Sequence, residues 1–355
     1  MSTLIAKCRP KPLKITLKRG ALIPVKSKSP TSPLSPPSPT LPSEPYYGET
    51  ICQGTVKKSG IRCTNNAYYS QPPLFLCGVH SKKGPRKTLA KNPNAKAHRL
   101  SVQRDRTAEI EAVALSNKST GIRGTITVSK MRMVKNPEYI QGVLNVFPNY
   151  KHENRKDGYG CSALSPKSLG PIVHNMPGLP PSVSLENFHQ YSKFWKFELS
   201  PQGMPTEKAL QHRIKGYKSD VPDRHKHPKE VLTKHTSGSN INIPEFSLYY
   251  RPDGTPVKYT YLECRYFYCH YYELLAPQTK CYKELRRKLD DGYNLNIVGY
   301  DGYPPNKDQM KMYMDTNKPY GHEMVLYALL TIPHPDEYPW NIYRVQHEAK
   351  YTGFP

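Results

Sequence analysis

Four side chains between residues 52 and 80 have the chemistry and spacing of metal ligands. Cys52, Cys63, Cys77 and His80 follow the pattern Cys-x10-Cys-x13-Cys-x2-His. Thiolate and imidazole are the ligands tetrahedral zinc prefers, and Cys77 with His80 is a pair that one turn of chain can present to an ion. Four protein ligands fill the shell, so the zinc expected here is structural rather than catalytic. So short a segment buries too little apolar surface to fold alone, and metal binding would supply its folding free energy. A second set is Glu186, Gln190 and Lys193, at i, i+4 and i+7. On a helix opened by Ser184 and running to Lys196 they share one face, where a carboxylate, an amide and an ammonium suit a polar ligand. The same spacing also describes a solvated face holding an ion pair. Asp301 closes an expected strand, where functional loop side chains are common, or it forms part of an Asp-Gly turn. His322 and Glu323 open an apolar helix, as capping residues or as site residues. Arg265 is suited to anchoring a phosphate, or to pairing with Glu263 or Glu273.

The elements that must position these groups can be read from pattern. A short helix is expected over Thr107–Asn117 and strands over Gly124–Val128 and Gly142–Phe147, followed by the Ser184-initiated helix. Leu185, Phe188, Tyr191 and Trp195 give that helix its apolar side. Residues 213–240 are polar and turn-rich and read as a surface loop. Strands at Phe246–Arg251 and Val257–Leu262 are joined by Pro252-Asp253-Gly254. Helices over Glu263–Leu275 and Thr279–Asp290, a buried strand at Asn294–Tyr300 and a core helix at His322–Thr331 complete one α+β domain, residues 107–355. Cys264, Cys269, His270 and Cys281 read as core groups rather than as a second metal site. The aromatic run in Glu263–Leu275 reads as core packing. His225, His227 and His235 read as solvent-facing.

Composition bounds the rest. The chain of 355 residues carries 52 Lys+Arg against 28 Asp+Glu, a net charge of +24, and 37% of its residues are hydrophobic. Residues 1–106 hold 20 Lys+Arg and 3 Asp+Glu, so +17 of that excess sits in less than a third of the chain. A polycationic end calls for an acidic polymer, and nucleic acid, DNA above all, is the expected partner of residues 1–106. Ten prolines in residues 1–50 exclude regular helix or sheet and imply a disordered tail. Residues 51–81 form the zinc module and 82–106 a basic linker. No apolar run of 18 residues exists, which excludes a membrane helix, and Lys and Arg interrupt every short apolar stretch near the start, against a secretory signal. Eight cysteines are too few for a disulfide scaffold, so a reducing compartment is expected. Walker, Gly-x-Ser-x-Gly and His-Glu-x-x-His motifs are absent.

Two stretches resemble known families. CQGTVKKSGIRCTNNAYYSQPPLFLCGVH, from Cys52 to His80, resembles a small Cys3His zinc-knuckle module found in large DNA viruses and some eukaryotic proteins. SLENFHQYSKFW resembles the signature helix of the NADAR family (NAD- and ADP-ribose-associated), written Glu-His/Asn-aromatic-x-Gln-x-x-Lys-Phe. Its positions here are Glu186, Asn187, Phe188, Gln190, Lys193 and Phe194. Upstream, Leu164-Ser165-Pro166 is similar to the family's Leu-Ser-Asn segment, with Pro166 in place of Asn. The family's C-terminal motif has no recognisable counterpart, although Gly321-His322-Glu323-Met324 stands at a comparable place. More broadly, residues 157–335 resemble a family of phage, actinobacterial and large-DNA-virus proteins through SLGPIVHNMPGLPPSVSLENFHQ, NLNIVGYDGY and PYGHEMVLYALL.

The NADAR resemblance implies an α+β fold and cleavage of an N-glycosidic bond in a nucleotide, an ADP-ribosylated group or a nucleic-acid base. Such a reaction passes through an oxocarbenium-like state and needs a carboxylate to stabilise it or to activate water. Glu186 is expected in that role, with Asp301 and Glu323 as further catalytic candidates. Lys193 would hold a ribose hydroxyl or phosphate and Gln190 or Asn187 the base edge. Ser165, Arg265 and His322 would complete the ligand site. The viral resemblance implies an intracellular place, in host cytoplasm or nucleus or in the virion. The competing expectation is a non-enzymatic viral protein that binds or packages nucleic acid.

Overall fold

The computed structural model describes residues 54–55, 69–71, 74–77, 80, 87–88, 95–131, 137, 139–222 and 244–344, in two units divided between Asn92 and Pro93. The expected tail of residues 1–50, the ligands Cys52 and Cys63, and His225, His227 and His235 lie outside the described residues. In the first unit, β1 (Tyr69–Gln71), β2 (Leu74–Leu76) and β3 (Lys87–Thr88) form an antiparallel sheet in the order β2-β1-β3. Leu76 and the following Cys77 are buried.

The second unit opens with α1 (Ala95–Ser119), twelve residues earlier than the periodicity predicts. Residues 95–106, expected as the end of the basic linker, are therefore helical. The physical reason lies in their composition: Ala, Lys, Leu, Gln and Arg are good helix formers, but they leave the helix polar almost all round, so no apolar stripe announces it. Gln103 to Ala108 are all exposed.

Four strands then build a parallel sheet: β4 (Ile126–Lys130), β5 (Val143–Phe147), β6 (Tyr159–Gly160) and, far along the chain, the last strand β10 (Asn294–Gly299), in the order β4-β10-β5-β6. Ile297 pairs with both Val128 and Val146, which places β10 in the interior. Every residue of β10 after Asn294 is buried, as a central parallel strand covered on both faces requires.

Between β6 and β10 come α2 (Leu185–Tyr191), β7 (Lys193–Phe194), α3 (Glu207–Tyr217), β8 (Phe246–Tyr250), β9 (Pro256–Tyr259), α4 (Tyr261–Leu275) and α5 (Lys280–Asp290). After β10 follow α6 (Gln309–Met314) and α7 (His322–Thr331). Strands β7, β8 and β9 make a second, antiparallel sheet. The Ser184 hydroxyl caps α2 by accepting from the Asn187 amide, but the helix stops at Tyr191 instead of reaching Lys196. Its apolar residues explain the break. Leu185 and Phe188 belong to the main core, whereas Phe194 packs with Ala209, Phe246 and Leu248 in a separate cluster. The chain leaves the helix to serve both.

Helix α3 takes the first five residues of the expected 213–240 loop. Its buried stripe is Ala209, Arg213, Gly216 and Tyr217, in which an arginine hides the apolar period. The hub of the unit is α4: all residues from Cys264 to Tyr272 are buried, and the helix packs against α2, α7, β8 and β9. Cys264, Cys269 and His270 are thus core groups, as expected. The unit mixes helix and strand in one body. Among the described residues, no helix is long and apolar enough to cross a membrane.

Candidate active site

In open parallel sheets, ligands bind where the strands end at their carboxyl edge, beside the helices that follow. Here β10 ends at Gly299 and turns through Asp301 to Gly302, whose amide donates to the Gly299 carbonyl (3.3 Å). Helix α7 begins beside this turn, and its first two residues are His322 and Glu323. Glu323 is fully buried. Its Oε1 accepts a long contact from the Asp301 amide (3.4 Å) and lies so close to Gly299 that a Cβ there would stand 1.8 Å from it. Gly321 is equally constrained: a Cβ would meet Glu323 Oε2 at 2.8 Å and Asp301 Cβ at 2.9 Å. Two glycines without side chains thus let Asp301 and Glu323 approach each other.

The second oxygen of Glu323 is the unusual atom. Oε2 is buried and no donor meets it with hydrogen-bond geometry, while His322 Nδ1 stands 3.3 Å away. His322 Nε2 donates to the Pro148 carbonyl (3.0 Å), since a carbonyl can only accept. A neutral ring then turns the lone pair of Nδ1 toward the carboxylate. That side of the carboxylate therefore faces a ring nitrogen and meets no donor among the described residues.

Across α4 lies the other carboxylate of interest. Glu186 accepts from Gln190 Nε2 (3.2 Å) within the first turns of α2, and its backbone amide donates to the Pro166 carbonyl. Tyr268 connects the two sides. Burial raises its hydroxyl well above the ordinary phenol range, and the charges of Glu186 and then Glu323 add to the effect. The ring is buried, yet its hydroxyl neither donates nor accepts among the described residues, and it is not among the sealed, unpartnered oxygens. It is therefore an unengaged donor that feels the charge of both carboxylates. Half-buried His189 packs its ring on Tyr268, 4.9 Å between centroids. Burial, helped by Lys193 and Arg265, pushes His189 well below its usual range and keeps it neutral. Tyr268 and His189 were both missed from sequence, Tyr268 because seven of its neighbours in α4 are ordinary core residues.

The remaining expected site residues fall elsewhere. Lys193 lies in β7, paired with Ser247, and does not share a helical face with Glu186. It acts instead on His189 and Cys264. Arg265 is buried and commits its guanidinium to the carbonyls of Tyr313 (2.5 Å), Asp315 (3.0 Å) and Lys318 (2.7 Å), which pins the chain between α6 and α7. It pairs with neither Glu263 nor Glu273 among the described ion pairs. Asn187 is buried and donates to the Ser219 carbonyl (2.8 Å). Ser165 is buried and its hydroxyl accepts from the Lys167 amide (3.4 Å). Its segment nevertheless braces the site, because the Leu164 carbonyl accepts from Tyr272 on α4 and the Pro166 carbonyl from the first turn of α2.

In the first unit, Cys77 Sγ and His80 Nδ1 stand 3.4 Å apart, and His80 Nε2 donates to the Thr55 carbonyl (3.1 Å). Gly54 makes room for that ring, since a Cβ there would sit 2.5 Å from it. Among the described residues no three candidate ligands cluster, and Cys52 and Cys63 are not described.

The chain matches no family model, no curated protein and no solved structure.

Proposed function

We propose that the α+β unit is an N-glycosidic hydrolase acting on a nucleotide, an ADP-ribosylated group or a nucleic-acid base, held on nucleic acid by the basic N-terminal part. The observation that supports this most is the pair of carboxylates, Glu186 and Glu323, acting on one available phenol beside the carboxyl edge of a parallel sheet. Hydrolysis of an N-glycosidic bond needs two different acids: one ionised, facing the sugar, and one that delivers a proton to the leaving base. Glu186 suits the first role. It would stabilise the oxocarbenium-like carbon and take a proton from the attacking water as the C–O bond forms. The second role falls to the His322–Glu323 pair, which would deliver a proton to the base nitrogen as the C–N bond breaks. Tyr268 would donate to a ribose oxygen.

The experiment is incubation of the full chain with NAD, ADP-ribose, ADP-ribosylated DNA and 5-phosphoribosylamine compounds, with chromatographic detection of freed base or sugar. Glu186→Gln is expected to lower base release by about 10³-fold while leaving the thermal midpoint nearly unchanged. Unchanged release would remove Glu186 from the reaction, and a large loss of stability would make it architectural. If no substrate class is cleaved, the non-enzymatic reading takes over, in which the unit binds or packages nucleic acid.

A separate reading concerns the first unit, for which we propose structural zinc on Cys52, Cys63, Cys77 and His80. The Cys77–His80 separation supports it: tetrahedral ligation with metal–sulfur near 2.3 Å and metal–nitrogen near 2.0 Å sets ligand atoms about 3.5 Å apart. The Thr55 carbonyl holding the far nitrogen is the usual support of a metal-bound imidazole. The full chain is expected to retain about one zinc per molecule through dialysis and to lose it in Cys77→Ser. Equal zinc in both proteins would dismiss the site.

A further inference from the structure

Residues of α1 and of the β5–β6 edge enclose a groove of about 740 Å³ that has no part in the site above. A volume of a few hundred Å³ or more is the usual scale of a ligand site. The groove mixes three chemistries. Ile110 and the Tyr139 ring supply flat apolar surface. Arg106, stacked 4.3 Å over Tyr139, and Lys156 supply cations, and neither makes an ion pair among the described residues. Arg155, by contrast, is neutralised by Asp157 and rests on the Phe147 ring.

The third contribution is Asn145, only 6% exposed and lining the groove. Its Oδ1 accepts from Asn296 Nδ2 (2.8 Å), which leaves its Nδ2 with no acceptor among the described residues. An unpartnered amide recessed between free cations and an aromatic ring is a receptor for a base carrying a phosphate. Asn145 is too deep for a base still paired in a duplex, because only unstacked bases can be turned into such a recess. Residues 95–106, the last part of the basic run, are the first turns of α1, and Arg106 there lines the groove.

We propose that the groove binds single-stranded nucleic acid, with one base set against Asn145 and Tyr139 and the adjoining phosphates on Arg106 and Lys156. This does not depend on the hydrolase reading, since no residue is shared.

The test uses the full chain and single-stranded hexanucleotides carrying 4-thiouridine or 4-thiothymidine, photocrosslinked at raised salt and mapped by mass spectrometry. Crosslinks are expected in the peptides around Tyr139 and Asn145. Reversal of charge in Arg106→Glu with Lys156→Glu should lower their yield by about tenfold or more, whereas Lys280→Glu with Lys283→Glu, an equal charge change on exposed α5 surface, should not. Crosslinks confined to residues 1–92, or an unchanged yield at Tyr139 in the double variant, would overturn the proposal. Displacement by a nucleoside monophosphate at equal base concentration would overturn the strand as occupant in favour of a free nucleotide. Both substituted residues are exposed, and matching thermal midpoints would confirm that the variants fold.

Discussion

Glu323 and Arg213 are the most deeply buried charged side chains described in the α+β unit, and their surroundings differ in kind. Glu323 lies at the end of the parallel sheet, with the first turn of α7 and the His322 ring 3.3 Å from its carboxylate, and its charge reaches the Tyr268 phenol. Arg213 lies between α3 and β8, 1% exposed, facing the rings of Phe194, Tyr217 and Tyr250 at 5.1 to 5.9 Å from their centroids. One of its nitrogens donates to the Tyr217 hydroxyl (2.9 Å) and the other two have no partner. Both charges cost desolvation energy. Only one sits among groups that can move a proton. A buried charge is therefore not in itself a sign of chemistry: the ring cage answers Arg213 by cation–π attraction and one hydrogen bond to a phenol, whereas Glu323 stands beside an imidazole and a turn at the end of a parallel strand.

The sharpest way to break this contrast is Glu323→Gln. The amide keeps the shape and the acceptor facing the Asp301 amide, and its NH₂ can donate to the His322 Nδ1 lone pair that the carboxylate faces now. Stability is therefore expected to stay level or rise, while base release falls by about 10³-fold through loss of the proton source. Denaturant titration and the release assay on the same preparation measure both. A stability loss of about 3 kcal/mol or more would instead make Glu323 a structural anchor like those that break when one partner of a buried pair is removed.

How much of this contrast was legible beforehand depends on how each group entered the core. Helix α7 matches its expected bounds, and β10 differs by one residue, because both are continuous apolar runs closed by Pro or Asp-Gly. Their side-by-side placement with β4 and β5 was not legible, since parallel pairing joins residues about 150 to 170 positions apart and leaves no local pattern. Asp301, His322 and Glu323 were nameable because they stand at element ends. Tyr268 was not, because inside RYFYCHYYELL its type and spacing match those of its packing neighbours, and only the carboxylates brought by α2 and α7 distinguish it. Lys193 was misplaced for the opposite reason: a good helical spacing from Glu186 was overridden by the pairing of β7 with β8 and by the second apolar cluster around Phe194. Arg213 escaped notice because a charged residue in a buried stripe reads as a solvated one.

That last residue offers the finer test. Arg213→Met keeps the length of the side chain, packs thioether against the same rings and removes two unpartnered N–H groups, so stability at pH 7 is expected within about 1.5 kcal/mol of the parent or above it. The variant also reports on His174, which donates to the Pro180 carbonyl and stacks on Phe188. Burial first, and the Arg213 charge in addition, lower His174 to about 4 from 6.5. Because the unfolded chain takes up a proton near pH 6.5 and the folded chain does not until about pH 4, His174 lowers stability as pH falls through that window. The full effect is about 3 kcal/mol. Without the guanidinium the folded value moves back toward 6.5, and the loss between pH 7 and 4.5 is expected to be smaller in Arg213→Met than in the parent. Denaturant midpoints at pH 7, 5.5 and 4.5 decide it, each protein against its own value at pH 7 so that other acid-sensitive groups cancel. Parallel slopes would mean that the cage screens Arg213 so well that its charge is not felt one ring away.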